Sequence, residues 1–308
     1  MIKIENLVRY YGEFLAVNDV SFSIPKGQIL GLLGHNGAGK TTIMKMITGY
    51  LEPSAGRVLI DGLSIESSLL EIQQKIGYLP EGTPLYSEMT VAHFLEYVCE
   101  LRAVAPVDRP AAIRRAVAKT GLKDKALEAI STLSKGYKQR LGVAQAIIHK
   151  PEILILDEPT SGLDPSQIQE MRNLIKELSG ESTIILSTHI LQEVEAMCER
   201  VVIIKAGQLA RDAMLSELQE SHSLRVSTSE KASKVQDVLK GIDGIERIES
   251  LSNGQSPSDM RIVLNPEKGS NAAALVAKTV VSNGWDLFRL EREQRDLEAV
   301  FKEINRVE

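Results

Sequence analysis

The apolar and polar positions of this chain fall into three rhythms. Residues 2–24 alternate and are rich in β-formers, as in Ile2-Lys3-Ile4 and again from Val17 to Ile24. That pattern predicts a small antiparallel sheet, with Tyr10 and Tyr11 in the turn between its first strands. Short strand signals bounded by turn residues follow at 29–33, 58–60, 76–79, 153–156, 183–187 and 201–204. The run Ile153-Leu154-Ile155-Leu156 is apolar at every position, which predicts a parallel strand covered on both faces. Residues 87–149 change to helical spacing, with Val91, Phe94, Leu95 and Val98, then Ile113, Val117 and Ala118. They predict an inserted helical subdomain whose last helix carries Leu141, Ala144, Ile147 and Ile148 on one side.

From Ser221 the rhythm changes again. Strands are predicted at 222–229, 245–251, 260–264 and 285–290, with helices at 231–240 and 272–281 and a turn at Ser252-Asn253-Gly254. The order βαββαβ is the split-βαβ, ferredoxin-like pattern. A last helix at 296–304 places Leu297, Val300, Phe301 and Ile304 on one face. This part holds no catalytic constellation and reads as a small accessory α+β domain, 221–308, after a larger domain at 1–220.

Composition narrows the class. The 308 residues are 43% hydrophobic and 25% charged, an ordinary globular balance, and the net charge is −5. An acidic chain argues against a nucleic-acid-binding surface as its main business. The start has no leader pattern, and no apolar run approaches the length of a membrane span. Cys99 and Cys198 stand far apart in no metal or redox spacing, which fits a reducing compartment. A cytoplasmic protein is expected, with any membrane role supplied through a partner.

The chemistry concentrates in one stretch. Gly34-His35-Asn36-Gly37-Ala38-Gly39-Lys40-Thr41 fits the phosphate-binding pattern GxxxxGK[ST], with a strand before it and a helix-compatible run from Thr42 after it. The glycines let successive backbone N–H groups face phosphate oxygens, and the helix N-terminus adds partial positive charge. Lys40 can reach the β- and γ-phosphates of a nucleotide, and the Thr41 hydroxyl can ligate Mg²⁺. Asp157 and Glu158 close the apolar strand at 153–156. Two carboxylates there are expensive without a purpose. Beside a phosphate loop, Asp157 would hold Mg²⁺ and Glu158 would polarise the attacking water. His189 ends the strand at 183–187 in the same manner, where a γ-phosphate would lie. Glu81 lies in Pro80-Glu81-Gly82-Thr83-Pro84, a candidate hinge directly after a strand. Ser134 and Gly136 start a helix and offer either a cap or a second anion site. The two tyrosines are open between base stacking and an ordinary structural place.

Taken together, the phosphate loop at 34–41, LSKGY at 133–137, the strand with Asp157-Glu158, SGLD at 161–164 and His189 resemble the ATP-binding subunits of ABC transporters over residues 2–220. The resemblance implies a P-loop NTPase core of α/β class with an antiparallel β subdomain and the helical insertion. It implies ATP and Mg²⁺ as ligands, with Lys40, Glu158 and His189 catalytic. Residues 34–42, from Gly34 to Thr42, would bind nucleotide, Tyr11 would stack on adenine, and Asp164 would join them from SGLD. Ser134 and Gly136 would complete the site of a second subunit in an ATP-bound homodimer. Two departures stand out: Lys135 and Tyr137 replace a glycine and a glutamine of the usual signature, and Glu81 replaces the usual hinge glutamine. A carboxylate at Glu81 can still ligate Mg²⁺. YLPEGTPLY together with LSKGY resembles the ABC-2-type exporter branch, including its gliding-motility-associated members. The implied partner is a membrane-spanning permease, which would hold this chain at the inner face of the cell membrane. The rival reading is an ABC-type ATPase acting on nucleic acid or ribosomes.

Overall fold

The computed structural model describes residues 1–251, 258–265 and 271–306. The chain divides into two compact units, Met1–Leu215 with Ile304–Glu308, and Ser216–Glu303. The strand that opens the second unit begins at Glu220, and a short helix at Leu215–Gln219, which no periodic pattern signals, precedes it.

In the first unit, β1 (Ile2–Tyr11) and β2 (Phe14–Ile24) form the expected hairpin. Tyr10 and Tyr11 are the last residues of β1, so the turn falls at Gly12-Glu13 and not on the tyrosines. β4 (Ala55–Ile60) and β5 (Leu63–Ser64) extend this antiparallel sheet, in the order β2-β1-β4-β5. The second sheet is built from β3 (Ile29–Leu33), β6 (Ile76–Leu79), β7 (Ile153–Asp157), β8 (Thr183–Thr188), β9 (Arg200–Lys205) and β10 (Gln208–Met214). Their order is β10-β9-β3-β8-β7-β6, parallel throughout except for β10. β10 carries no apolar run, because as an edge strand it is exposed at most positions. β3, β7 and β8 are buried at every residue, which is why their sequences are apolar without alternation.

Helix α1 (Lys40–Ile47) shares one core with both sheets: Ile43, Met44, Met46 and Ile47 meet Ile4, Leu7 and Val20 on one side and Leu32, Ile155 and Ile185 on the other. A short α2 (Leu69–Lys75) buries only Ile72, too little for a periodic signal. The helical insertion consists of α3 (Val91–Leu101), α4 (Arg109–Lys119) and α5 (Lys135–Ile147). α6 (Pro165–Ser179) and α7 (Leu191–Met197) complete the first unit's helices among the described residues. No helix among the described residues is long and apolar enough to cross a membrane.

In the second unit, α8 (Leu215–Gln219) leads into β11 (Glu220–Thr228), α9 (Ala232–Leu239), β12 (Ile245–Ser250), β13 (Ser258–Leu264), α10 (Ala272–Ser282) and β14 (Leu287–Gln294). The βαββαβ order expected from the sequence is the order observed. The four strands pair antiparallel as β12-β13-β11-β14. Leu224, Val226, Met260 and Ile262 face Val235, Leu239, Val276 and Val280 of the two helices. The turn expected at 252–254 lies outside the described residues. α11 (Leu297–Arg306) follows, with Leu297, Val300 and Phe301 buried.

One titratable group is held against its ordinary charge state. His149, just past α5, donates from Nε2 to the Ile76 carbonyl oxygen, 3.2 Å away. Burial, with the Arg102 guanidinium adding to it, pushes this imidazole down from 6.5 to about 4. Below pH 6.5 the unfolded chain therefore takes up a proton that the folded chain refuses, and stability is lost as the pH falls from 6.5 to about 4. Urea unfolding followed by circular dichroism at fixed pH should show His149→Gln losing less stability across this window than the wild type, by up to about 3 kcal/mol. Parallel pH dependences would remove His149 from this role.

Candidate active site

The register of the parallel sheet assembles the site. Leu33 of β3 pairs with Thr188 of β8, Ser187 of β8 with Asp157 of β7, and Leu156 of β7 with Leu79 of β6. The chain leaves these four strand ends into the loop at 34–39, His189, Glu158 and Pro80-Glu81. With strands spaced about 4.8 Å apart, segments remote in sequence meet along one edge. A cleft of about 390 Å³ lies there, lined by Tyr11, Asn36, Gly37, Gly39, Lys40, Thr41, Thr42, Glu81 and Glu158 of the expected residues, with Phe14 and Ala16.

Lys40 is the first residue of α1 and 5% exposed. Its ammonium donates to the carbonyl oxygens of Gly34 at 2.8 Å and His35 at 3.2 Å, and Glu158 Oε1 lies 3.8 Å away. Burial lowers the Lys40 pKa from its ordinary value, opposed by the carboxylates of Glu158, Asp157 and Glu81. The ammonium thus closes the loop on itself and faces the cleft.

Asp157 is fully buried, and Ser187 Oγ donates to its Oδ1. Its Oδ2 is buried without a hydrogen-bond partner. A buried carboxylate oxygen left so is costly unless something else satisfies it. With the Thr41 hydroxyl and Glu81 on the cleft, these are hard oxygen donors of the kind a small divalent cation takes. Glu158 is 7% exposed and holds φ at 49°, a left-handed backbone that strains a non-glycine residue by about 1–2 kcal/mol. Ser187 holds it there, with its carbonyl oxygen and Oγ accepting from Glu158 N at 3.2 and 3.1 Å. The Glu158 carboxylate meets His189 Nδ1 at 2.9 Å. A carboxylate set between an ammonium and a half-exposed imidazole can take a proton from water, while the imidazole and the ammonium can each donate to a phosphate oxygen.

Of the two tyrosines, only Tyr11 lines the cleft. Arg9 sits over its ring at 5.1 Å, and it pairs across the hairpin with Phe14, 65% exposed. Phe14 was missed from the sequence, where alternation made it one more strand residue. Ser134, Gly136 and Asp164 are not brought to this cleft. Ser134 caps α5 by accepting from Tyr137 N at 3.4 Å, and Asp164 caps α6 by accepting from Gln167 N at 2.9 Å. Gly136 lies so close to Gln167 that a Cβ there would meet its amide at 2.8 Å, so this signature segment and the start of α6 abut.

The ABC transporter family pattern matches residues 17–161. The bacitracin transport ATP-binding protein of Enterococcus faecalis is 39% identical over 220 residues, covering 71% of this chain and 70% of that one. This chain belongs to the ABC transporter ATP-binding proteins. An ABC transporter ATP-binding protein of Bacillus subtilis is 32% identical over 304 residues, 99% of each chain, so that similarity runs through the second unit as well. A dimeric ATP-binding cassette in a post-hydrolysis state, bound to ADP and phosphate, superimposes with a TM-score of 0.64 at 25% identity, over 70% of this chain and 99% of its own. The ABC ATPase fold expected from the sequence is therefore the fold observed, and ATP hydrolysis is its activity.

The phosphate loop gives a discriminating test. Gly37 and Gly39 both have positive φ, at 81° and 107°, but a Cβ on Gly37 would meet nothing within 4 Å, whereas one on Gly39 would meet the Ala16 carbonyl oxygen at 2.8 Å. Gly37→Ala should carry only backbone strain, about 1–3 kcal/mol. Gly39→Ala must also move the loop off β2, and should weaken binding of a fluorescent ATP analogue at least tenfold more than Gly37→Ala. Equal affinities would show that the loop does not depend on this close approach.

Proposed function

We propose that this chain is the ATP-hydrolysing subunit of an ABC-2-type exporter, driving a separate membrane-spanning permease through ATP-dependent closure of two copies. The observation that carries this reading is the alignment of Lys40, Asp157, Glu158 and His189 on one sheet edge, with Ser134, Gly136 and Asp164 outside the same chain's cleft. Each copy then supplies a phosphate loop to its own ATP and a signature segment to the other's, a head-to-tail arrangement that symmetry doubles. Glu158 polarises the attacking water, His189 and Lys40 contact the γ-phosphate, and Tyr11 stacks on adenine. Asp157, Thr41 and Glu81 would hold Mg²⁺, which when bound neutralises charge on the β- and γ-phosphates.

The route to the permease is supported by a second feature. An aromatic groove of about 320 Å³ lies beside the cleft, with Tyr50, Tyr78, Tyr86, Phe94 and Tyr97 among its lining residues. Glu81 lines the ATP cleft, while Pro84 and Tyr86 of the same loop line the groove. A shift at Glu81 on hydrolysis is thus passed within a few residues to a surface suited to a permease segment. This would hold the protein at the inner face of the membrane. Residues 221–308 are proposed to form an accessory domain, since every residue lining the cleft belongs to the first unit. No observation favours a role on nucleic acid.

Glu158→Gln should retain ATP binding and slow hydrolysis by a factor on the order of 10²–10⁴. Because closure follows bound ATP, the variant should elute as a dimer with ATP and Mg²⁺ and as a monomer without them in size-exclusion chromatography. A variant that hydrolyses at the wild-type rate would remove Glu158 from its role.

A further inference from the structure

Glu193 on α7 is fully buried and is not among the residues lining the ATP cleft. Its carboxylate is met by two hydroxyls, and no cation pairs with it among the described residues. Thr160 Oγ1 donates to Oε1, and Thr188 Oγ1 donates to Oε2 at 2.8 Å. Both threonines are buried as well. Placing a carboxylate at such depth without a countercharge is expensive, and two neutral hydrogen bonds only partly offset the loss of water. An apolar side chain would fill this place on α7 at less cost to folding.

The identity of the two donors gives the arrangement its meaning. Thr160 stands two residues after Glu158, and Thr188 stands immediately before His189. Thr188 Oγ1 also accepts from Ile190 N at 3.0 Å, so the backbone on both sides of His189 is tied to one hydroxyl. The Thr160 carbonyl accepts from Leu163 N at 3.2 Å, closing a turn just before Asp164. We propose that Glu193 is a positioning residue: one carboxylate clamps the segment leaving β7 to the segment leaving β8, and thereby sets the 2.9 Å contact between Glu158 and His189. Ser187 ties the Glu158 backbone to β8, and Glu193 adds a second restraint through Thr160 and Thr188. Because it touches neither the cleft lining nor the reacting atoms, Glu193 acts on turnover and leaves nucleotide affinity alone. The inference rests on the assignment of Glu158 and His189 to hydrolysis proposed above.

The test is steady-state ATPase kinetics of the full chain carrying Glu193→Ala, Glu193→Gln or Glu158→Gln, with affinity measured separately by titration with a fluorescent ATP analogue. A threonine hydroxyl accepts as well as donates, so glutamine can keep both contacts. Glu193→Ala should lower kcat by on the order of ten- to a hundredfold, as a misplaced catalytic pair does. KM and affinity should stay within about threefold, and Glu193→Gln should restore kcat to within about threefold of the wild type. An unchanged kcat in Glu193→Ala, a loss that appears in affinity, or equal losses in the alanine and glutamine variants would each overturn the clamp. Should Glu193→Ala fail to fold, Thr160→Ser and Thr160→Val carry the same test: serine should keep turnover and valine lose it, and equal rates would overturn the proposal. Glu158→Gln separates the two levels. A slow Glu158→Gln beside a fully active Glu193→Ala sinks the clamp alone, whereas a Glu158→Gln that hydrolyses at the wild-type rate sinks the underlying assignment.

Discussion

Parallel pairing of β3, β8, β7 and β6 is the constraint on which the rest of the first unit depends. A slip of one residue would turn every side chain of a strand to the opposite face and pull its terminal residue out of line with its neighbours. Here each strand is buried on both faces, so the register is held by close packing on either side. The chemistry then follows from where each strand stops. The backbone leaving β3 forms the glycine loop, β7 ends in Asp157 with Glu158 directly after it, the backbone leaving β8 carries His189, and that leaving β6 carries Glu81.

The same edge concentrates costs that the fold must absorb. Asp157 is fully buried with one oxygen unpartnered, Lys40 is desolvated, and Glu158 holds a left-handed backbone. Ser187 answers two of these at once, since its hydroxyl donates to Asp157 and accepts from Glu158 N. Attraction of the Lys40 ammonium to the carboxylates of Glu158, Asp157 and Glu81 offsets part of its desolvation. A left-handed Glu158, a desolvated Lys40 and an unpartnered Asp157 oxygen on one edge are what a site poised for a charged substrate looks like. Exposed ion pairs elsewhere, such as Arg57 with Glu5 at 2.6 Å, carry little weight in stability.

Much of this was legible in the sequence because short-range patterns encode it. The glycine loop and the apolar run ending in Asp157-Glu158 each announce themselves within a dozen residues, and the βαββαβ order of the second unit follows from successive short runs between 222 and 290. What stayed hidden depends on long-range pairing. Phe14 looks like any alternating strand residue until the hairpin sets it beside Tyr11 at the cleft. Ser187 and Glu193 carry no motif, because the pairings of Ser187 with Asp157 and of Glu193 with Thr160 span 30 and 33 residues. β10 and α2 were invisible because they bury almost nothing and so impose no rhythm. The tyrosines shifted out of their expected turn because the hairpin closes on Gly12-Glu13, two residues that an aromatic-centred reading passes over.

The central claim is that two copies share each ATP, with a phosphate loop from one and a signature segment from the other. Asn36 and Lys135 are exposed in the folded chain, and the native thiols Cys99 and Cys198 are buried, that of Cys198 being pushed up to about 12 by burial. The most direct measurement places Asn36→Cys and Lys135→Cys in one chain, on a background of Cys99→Ala, Cys198→Ala and Glu158→Gln, and adds a short thiol crosslinker. Shared sites predict a covalent dimer on a denaturing gel that strengthens with ATP and Mg²⁺. Crosslinks confined to single chains, or dimer bands indifferent to ATP, would contradict the shared site and the motor built on it.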